Sequence, residues 1–242
     1  MAEIHGLIAA AGRGTRAGLP YPKTLFPVRG KPILVRILEL LAPYDGSPTV
    51  VVSPGGLEPI GECLATHGRR AHLVVQPEPR GMGDAVLRFM DSPVFGEAEH
   101  VLLVWGDIPL IQPATVSELV RRHLADGNDF TFATRHVDAA YTVVARSPEG
   151  RVLGVTETRE SGVLEPLPGE REIGLFVFRK QAVVDALLQE APDKYGRTTH
   201  EHGFLYVIGY LARQGFKLEA LPIATPEDLV SLNKLEDLEG YF

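Results

Sequence analysis

Cysteine is almost absent from this chain of 242 residues, which limits the chemistry open to it. The single cysteine, Cys63, cannot form a disulfide within the chain or supply a cysteine-based zinc cluster. Long apolar runs are also missing: no stretch reaches about eighteen uninterrupted apolar residues, so we expect no transmembrane helix. The amino terminus shows no basic segment followed by a long apolar run, so we expect no signal peptide and a cytoplasmic protein.

Positive charge is in deficit as well. The chain has 24 Lys and Arg against 31 Asp and Glu, a net charge of −7 and a pI near 5.6. This acidic balance argues against nucleic acid or an acidic membrane as the main partner. Cations are nevertheless concentrated around residues 13–36, which indicates a small anion as the ligand of that segment.

Strand-like and helix-like patterns alternate through the first half, which is typical of parallel βαβ units. The predicted strands there are Ile4–Ala10, Thr49–Ser53, His72–Gln76 and Val101–Val104, and the predicted helices are Pro32–Leu41, Pro59–His67 and Gly83–Phe89. In the second half the predicted strands are Phe130–Thr134, Tyr141–Ala145, Arg151–Thr156, Ile173–Phe178 and a last inner strand Lys217–Pro222, and the predicted helices are Gln181–Glu190 and Phe204–Gln214.

These patterns predict an α/β fold whose Rossmann-like sheet is mixed but mainly parallel, with a small β insertion beside the cleft. No repeat, low-complexity tract or long linker divides the sequence, so we expect one domain. The pattern of the acidic stretch 225–239 predicts that its charges lie on one face of a helix, and it does not favour a tail that binds a partner.

A glycine-rich turn, Ala-Gly-Arg-Gly-Thr-Arg, follows the first predicted strand. Gly12 and Gly14 allow backbone N–H groups to turn toward an anion. Arg13, Arg16 and Lys23 place positive charge beside that turn. With the Pro-Lys and Gly-Lys-Pro segments that follow, the turn predicts a site for a nucleoside triphosphate without a Walker-type motif.

The same stretch resembles the signature of the sugar-1-phosphate nucleotidyltransferases. It is most similar to the uridylyltransferase domain of the bacterial N-acetylglucosamine-1-phosphate enzymes. That pattern is Leu/Ala-Ala-Gly-x-Gly-Thr-Arg, then Pro-Lys-x-Leu and Gly-Lys-Pro, and Ala17 replaces its usual methionine. The resemblance implies a single nucleotidyltransferase domain over 1–242, with a nucleotide-binding half at 1–125 and an acceptor-binding half at 126–242. No sequence remains for the β-helix of the bifunctional relatives, so we expect their acetyltransferase half to be absent.

The resemblance also implies the reaction. A sugar-phosphate oxygen attacks the α-phosphorus of the nucleotide in line and pyrophosphate leaves, which requires positioning and charge neutralisation rather than a nucleophilic side chain. Arg16 would neutralise the pyrophosphate, and Lys23 the α-phosphate and the attacking phosphate. Gln76 offers the amide donor and acceptor that read the imide edge of uracil, so UTP is expected, with CTP and dTTP left open. The nucleotide-binding residues implied are Ala9, Ala10, Gly12, Arg13, Gly14, Thr15, Gln76 and Gly81.

Asp107 directly follows a predicted buried strand, in Trp-Gly-Asp-Ile-Pro-Leu, which resembles the family's Tyr-Gly-Asp-Val-Pro-Leu. Mg²⁺ takes carboxylate oxygens and shares phosphate oxygens, so the resemblance implies Mg²⁺ at Asp107 rather than a mere turn cap. The family's second ligand is an asparagine. Ala224 occupies that place in one match and Asn233 keeps the asparagine in another, and we choose Asn233. Thr225 and Asp228 then form a local capping box.

The acceptor side departs most from the family pattern. Gly174 stands where the family has a sugar-binding asparagine, and Tyr141 replaces a family glycine, whereas Glu157 matches the glutamate that bonds a sugar hydroxyl. The lost amide predicts a phosphorylated sugar or sugar-like alcohol other than N-acetylglucosamine 1-phosphate. The acceptor-binding residues implied are Trp105, Gly106, Glu157, Glu172 and Gly174.

Two rival functions stay open. A cytidylyltransferase for a non-sugar alcohol phosphate fits the changes at positions 174 and 141. A non-catalytic relative that binds a nucleotide sugar would not need Arg16, Lys23 and Asp107 together. A homodimer is suggested by analogy alone.

His200 and His202, on either side of Glu201, invite a metal interpretation. Two residues apart, they share a face only on a strand, and the local pattern indicates a loop that enters a helix. We therefore interpret them as a solvated helix start, with Glu201 as an alternative border of the acceptor pocket.

Overall fold

The computed structural model describes residues 3–12, 18–160, 165–238 and 240–241, which form eleven strands and six α-helices. The strands are β1 (Ile4–Ala9), β2 (Pro27–Val28), β3 (Lys31–Pro32), β4 (Thr49–Val52), β5 (His72–Val75), β6 (His100–Trp105), β7 (Phe130–Ala140), β8 (Thr142–Arg146), β9 (Val152–Glu157), β10 (Leu167–Arg179) and β11 (Leu218–Leu221). The helices are α1 (Ile33–Leu41), α2 (Leu57–Thr66), α3 (Met82–Leu87), α4 (Pro113–Asp126), α5 (Lys180–Leu188) and α6 (Tyr206–Arg213).

Seven strands form one sheet in the order β11-β7-β10-β6-β1-β4-β5. β1 is parallel to β4 and β6, β4 is parallel to β5, and β11 is parallel to β7. Among the described strands of this sheet, β10 alone runs antiparallel to its neighbours, β6 and β7. The predicted α/β fold with a mixed, mainly parallel sheet is therefore confirmed. No helix in the described ranges combines the length and hydropathy of a membrane span.

The central strands β1 and β6 are apolar on both faces, which is why helices cover both sides of the sheet. Leu7, Ile8, Leu103 and Val104 are each at most 1% exposed. Ile8 and Val104 pack in a core with residues of α1, α2 and α4. Leu7 and Leu103 pack on the other face, with Phe176 and residues of α3, α5 and α6.

β11, predicted as an inner strand, is instead one of the two edge strands of the sheet. Its residue Glu219 is polar and accepts hydrogen bonds from Arg122 at 2.6 Å and from Asn128 at 2.7 Å. The hydrogen-bonding needs of this carboxylate are therefore met at the edge of the sheet. β10 lies between β6 and β7 and so joins the two halves of the chain in one sheet.

The hairpin β8–β9 forms a separate two-stranded sheet, which confirms the predicted β insertion. Its turn closes where Gly150, at φ 84°, donates its N–H to the carbonyl of Ser147 at 2.9 Å. α6 packs on β9 at a pair of glycines, since a Cβ on Gly154 would lie 3.3 Å from the Cα of Gly209. This close approach fixes the hairpin on the helix beneath it.

α4 is absent from the helices predicted above, although the sequence carries its signals. Pro113 occupies the first helical position, and Gly127 ends the helix at φ 61°. Val116, Leu119 and Val120 are buried at the spacing of a single helical face.

The acidic stretch 225–239 is not a helix face, contrary to the prediction. Its described residues form two short 3₁₀ turns, Glu227–Leu229 and Leu235–Leu238. Asp228 is fully buried. Its carboxylate accepts hydrogen bonds from the N–H and hydroxyl of Thr225, of which the first is one half of the predicted capping box, and from the N–H of Gln112 at 2.6 Å. Its position is therefore set by the start of α4, a partner far away in sequence.

Two buried histidines lie at the amino end of β6. His100 and His123 are 4% and 0% exposed. Nδ1 of His100 lies 2.9 Å from Nε2 of His123, whose Nδ1 lies 2.9 Å from the hydroxyl of Thr131. Burial lowers the pKa of both rings, that of His123 to about 3. Both rings are therefore neutral at pH 7.

The pKa of His123 predicts acid destabilisation. The ring is neutral in the folded state down to about pH 3 but takes up a proton below about pH 6.5 when unfolded. Its contribution to stability is present above pH 6.5 and is lost as the pH falls. We expect the free energy of unfolding to fall by up to about 1.4 kcal/mol per pH unit below pH 6.5, and His123→Gln to flatten that slope. Urea unfolding of the wild type and of His123→Gln between pH 7.5 and 4.5 measures this pH dependence of the free energy of unfolding.

The exposed His67 is the matched control, and His67→Gln should keep the wild-type slope. Equal slopes for His123→Gln and the wild type would contradict this assignment.

Candidate active site

A cleft of about 720 Å³ opens at the carboxyl ends of β1 and β6, where open α/β sheets bind ligands. Gly12, Lys23, Trp105 and Asp107 line it from the sheet. The remaining lining residues come from α3, the β8–β9 hairpin, the segments that follow β9 and α5, and α6. The cleft thus lies between the carboxyl ends of the central strands and the β insertion.

Lys23 and Asp107 meet in this cleft as an ion pair, Nζ to Oδ2. Lys23 opens the 3₁₀ turn Lys23–Leu25, which Pro22 precedes and in which Thr24 is buried. Asp107 lies two residues after the end of β6, and its carbonyl accepts the N–H of Leu232 at 2.9 Å. The two side chains are 24% and 15% exposed, so both are accessible to a ligand. A cation and an anion predicted to bind phosphate and metal are therefore brought together.

Glycines permit close approach around this pair. A Cβ on Gly12 would lie 3.2 Å from Cε of Lys23, and a Cβ on Gly106 would lie 2.7 Å from the carbonyl of Ala9. Ala10 is buried and donates its N–H to Val51 at 2.8 Å, which fixes the entry of the glycine-rich segment.

Four predicted phosphate-binding residues lie outside the described residues: Arg13, Gly14, Thr15 and Arg16. Their roles stay predictions.

The oxygen donors near Asp107 fit a hard divalent cation such as Mg²⁺. Asn233 is exposed, and its neighbour Leu232 is bonded to the backbone of Asp107. Asn233 donates through Nδ2 to Ser231 at 3.0 Å, which leaves its amide oxygen as a donor to a metal. Ala224 offers no side-chain ligand. Of the two, Asn233 alone carries a possible side-chain ligand; it is not among the described residues that line the cleft, and its role as the second ligand stays a prediction.

Gln76 is buried at the end of β5, not solvent-facing, with 5% of its surface exposed. Its Nε2 donates to the carbonyl of Gly81 at 3.0 Å and to Oδ2 of Asp84 at 2.9 Å. Asp84 also forms an ion pair with Arg88, with Nη2 of the arginine 3.4 Å from Oδ1. Because a carbonyl and a carboxylate only accept hydrogen bonds, they fix the amide nitrogen of Gln76 on their side. Its oxygen is directed away from them.

Residues 80–83 are docked against residues 202–203. His202 donates its N–H to Arg80 at 2.7 Å, and Gly83 donates to His202 at 2.9 Å. Gly81 has φ 107°, and a Cβ on it would overlap the carbonyl of His202. The predicted solvated helix start is therefore wrong for His202, which is 6% exposed, and α6 begins only at Tyr206.

The acceptor side is shaped by a residue without a side chain. Gly174 has φ +77°, and a Cβ there would overlap Ile108 and come within 2.8 Å of the indole of Trp105. Trp105 lines the cleft, and its buried Nε1 has no hydrogen-bond partner among the described residues. Ile108 and Trp105 thus occupy the space that any side chain at position 174 would need.

Glu172 lies behind the cleft lining, 2% exposed. It accepts hydrogen bonds from the N–H of Gly174 at 2.6 Å and from the hydroxyl of Thr142 at 3.1 Å. Burial raises its pKa to about 6. Glu157 lies on β9 opposite Thr142 and lines the cleft. Glu172 and Gly174 are therefore placed to support the acceptor wall, and Glu157 to face a ligand.

A loop that the sequence patterns did not assign to the cleft, apart from Glu201, also lines it. Within this loop Tyr195 and His202 form a β-bridge. Glu160 accepts the N–H of Thr198 at 2.8 Å and the hydroxyl of Thr199 at 3.0 Å. The lining residues of the loop are Tyr195, Gly196, Arg197, Thr199, Glu201, His202 and Gly203.

Comparison with curated proteins identifies relatives over most of the chain. It is 31% identical over 230 residues to the bifunctional protein GlmU of Exiguobacterium sibiricum, covering 94% of this chain and 49% of that protein. It is 30% identical over 220 residues to the bifunctional protein GlmU of Leifsonia xyli subsp. xyli, covering 90% of this chain and 45% of that protein. The chain thus spans about half the length of these relatives.

A solved structure shares the fold. A putative glucose-1-phosphate thymidylyltransferase from Bacillus anthracis, in complex with a sucrose, aligns with a TM-score of 0.77 over 98% of this chain and 93% of its own. At 15% identity this likeness concerns the fold alone. Residues 6–198 match the MobA-like NTP transferase domain. The chain therefore belongs to the family of MobA-like NTP transferase domains, which confirms the nucleotidyltransferase class and the relationship predicted from its sequence.

Proposed function

We propose that this chain is a magnesium-dependent sugar-phosphate nucleotidyltransferase that joins UTP to a sugar 1-phosphate and releases pyrophosphate. The observation that carries the proposal is the half-buried Lys23–Asp107 pair in a cleft at the carboxyl ends of the central strands. Both side chains line the cleft, and their charges match the ligands of this reaction. We also propose that residues 1–242 act as one domain, because β10 and β11 of the second half complete the sheet of the first.

In the proposed reaction an oxygen of the sugar phosphate forms a bond to the α-phosphorus as the bond to the β-phosphate oxygen breaks. Pyrophosphate leaves with the electron pair of that bond. The attacking phosphate is already anionic near neutral pH, so no side chain has to remove a proton. Lys23 stabilises the charge on the α-phosphate, and Arg16 that on pyrophosphate. Mg²⁺, held by Asp107 and Asn233, would neutralise phosphate oxygens.

The base preference follows from the orientation of Gln76. Gly81 and Asp84 hold its amide nitrogen, so its oxygen is the group left to contact a base. An oxygen accepts the N3–H of uracil or thymine, whereas N3 of cytosine is itself an acceptor. This supports UTP or dTTP over CTP, and with it a sugar phosphate over the alcohol phosphates of a cytidylyltransferase.

The acceptor is a sugar phosphate or sugar-like alcohol phosphate other than N-acetylglucosamine 1-phosphate. Ile108 and Trp105 fill the space beside Gly174, so no amide there can bond an acetamido group. Glu157 lines the cleft and carries a carboxylate that can accept a hydroxyl of the acceptor.

Loss of either charge should abolish turnover. We expect Asp107→Asn and Lys23→Gln each to lower kcat/KM for pyrophosphate release by about 100-fold or more, because each removes a charge that the transition state requires. The assay supplies Mg²⁺, several nucleotides and a panel of sugar and alcohol phosphates.

Asp129→Asn is the matched control for this pair, since Asp129 pairs with Arg179 away from the cleft. It should keep full activity. Activity of Asp107→Asn at the level of the control would contradict the proposal. Pyrophosphate release only with CTP and an alcohol phosphate would show that the protein is a cytidylyltransferase instead.

Asp84 should govern the choice of base. An amide at position 84 can donate to the oxygen of Gln76 and so permits the amide to rotate. We therefore expect Asp84→Asn to lower the ratio of kcat/KM for UTP to that for CTP by about tenfold, the value of one hydrogen bond. Asp91→Asn is the matched control, because Asp91 binds the same Arg88 at 3.2 Å. An unchanged ratio in Asp84→Asn would exclude this mechanism.

The packing around Gly174 gives a separate test of the acceptor wall. We expect Gly174→Ala to lower the free energy of unfolding by about 1–3 kcal/mol more than Gly30→Ala, because the added methyl overlaps Ile108 and Trp105. Gly30 also has positive φ, at 73°, but nothing lies within 4 Å of the place that a methyl group would take there. Urea denaturation compares the two variants, and equal losses would show that strain alone, not packing, acts at position 174.

A further inference from the structure

A second group of side chains of the kinds that bind metal ions lies at the amino end of β1, whereas the cleft lies at the carboxyl end of the same strand. Glu3 directly precedes β1, His5 lies in β1, and Glu97 lies in the segment that leads into β6. One ligand atom from each lies within 4.8 Å of the others. Within the described part of the chain, this is the one group of three or more such residues gathered closely enough to hold a metal ion.

The imidazole of His5 lacks a hydrogen-bond partner although it is buried. His5 is 9% exposed, and both ring nitrogens are shielded from solvent without a hydrogen bond to any described residue. Nε2 lies 3.9 Å from the carboxylate of Glu3, beyond hydrogen-bond distance. A buried polar nitrogen without a partner is unfavourable. The ring therefore points into the acidic group with an unmet capacity to bind.

The other side of the ring faces a fixed carboxylate. Nδ1 of His5 lies 3.6 Å from Oδ2 of Asp45. Asp45 is held by the N–H of Gly6 at 2.9 Å and that of Ser47 at 2.8 Å. Histidines that bind metals commonly have a carboxylate on the nitrogen remote from the ion, which fixes the ring and its tautomer. Asp45 lies on that side of the ring, slightly beyond hydrogen-bond distance, and Nε2 is the nitrogen that faces Glu3.

We infer that Glu3, His5 and Glu97 bind a divalent transition-metal ion at the amino end of β1. One imidazole with two carboxylates suits Zn²⁺ or Mn²⁺ better than Mg²⁺, which prefers oxygen ligands alone. The site is distinct from the Asp107 site and does not depend on the proposed reaction.

The ion would link two neighbouring parts of the central sheet. The carbonyl of Glu3 already accepts the N–H groups of Glu99 and His100, at 3.3 and 3.1 Å. Coordination by Glu3 and Glu97 adds a second connection between the start of β1 and the segment that enters β6. Its effect is on stability, because an ion that binds only the folded chain shifts the unfolding equilibrium.

The test uses the full chain, without an affinity tag and stripped of metal by a chelator. Zn²⁺ is titrated calorimetrically at pH 7.5 in excess Mg²⁺, and the Tm is measured with and without Zn²⁺. We expect one Zn²⁺ per chain and a rise in Tm that Mg²⁺ alone does not give. Glu97→Gln, an exposed position, should weaken Zn²⁺ binding by at least about tenfold and abolish most of the rise.

Two variants control for other sites. Glu99→Gln removes an exposed acid two residues away, and Asp107→Asn removes the proposed magnesium ligand; both should bind Zn²⁺ as the wild type does. No saturable Zn²⁺ binding would overturn the inference. So would Zn²⁺ binding that survives in Glu97→Gln, or that is lost in Asp107→Asn.

Discussion

The parallel pairing of β1 with β6 is the constraint on which the candidate site depends. Its register runs from Ile4 opposite His100 to Ala9 opposite Trp105, so both strands end at the same level of the sheet. Gly12, three residues after one strand, and Asp107, two residues after the other, therefore line the same cleft. The pairing holds because both strands are apolar on both faces, and a slip in register would leave buried backbone groups unpaired. The same pairing aligns the amino ends, where Glu3 and the segment before β6 meet. One strand pair thus positions ligand-type side chains at both of its ends.

The Lys23–Asp107 pair shows how such a site holds its charges before a ligand arrives. Each side chain partly satisfies the other, so neither charge is left alone in a half-buried place. The pair remains exposed enough to exchange partners, since a polyphosphate can take the ammonium and a hard cation the carboxylate. Gly12 keeps the backbone close to this lysine. The arrangement is consistent with a site whose charges are neutralised in pairs both before and after binding.

The sequence predicted most of what is decided locally. The strands β1, β4, β5 and β6 of the first half follow their apolar runs to within about one residue at each end, and the resemblance led to Lys23 and Asp107. Features decided by distant partners were not predictable in the same way. The described residues of the acidic stretch form 3₁₀ turns rather than an α-helix, and Asp228 there binds the distant Gln112. β11 lies at an edge of the sheet, where its Glu219 binds the distant Arg122. The loop around Tyr195 lines the cleft only because Glu160, far away in sequence, holds it there.

Gly174 shows why a family pattern and a structure have to be read together. In the sequence it is a missing amide; in the structure it is a place where no side chain fits, because Trp105 and Ile108 have taken the volume. The indole of Trp105 fills the volume beside Gly174, but it does not replace an amide oxygen as a hydrogen-bond acceptor, since an indole N–H only donates. Glu172 keeps its bond to the N–H of Gly174, so the backbone of the wall is preserved while its ligand-facing chemistry differs. Under the proposed function, an acceptor that needs an amide partner would therefore find none at position 174, because the volume there is already filled.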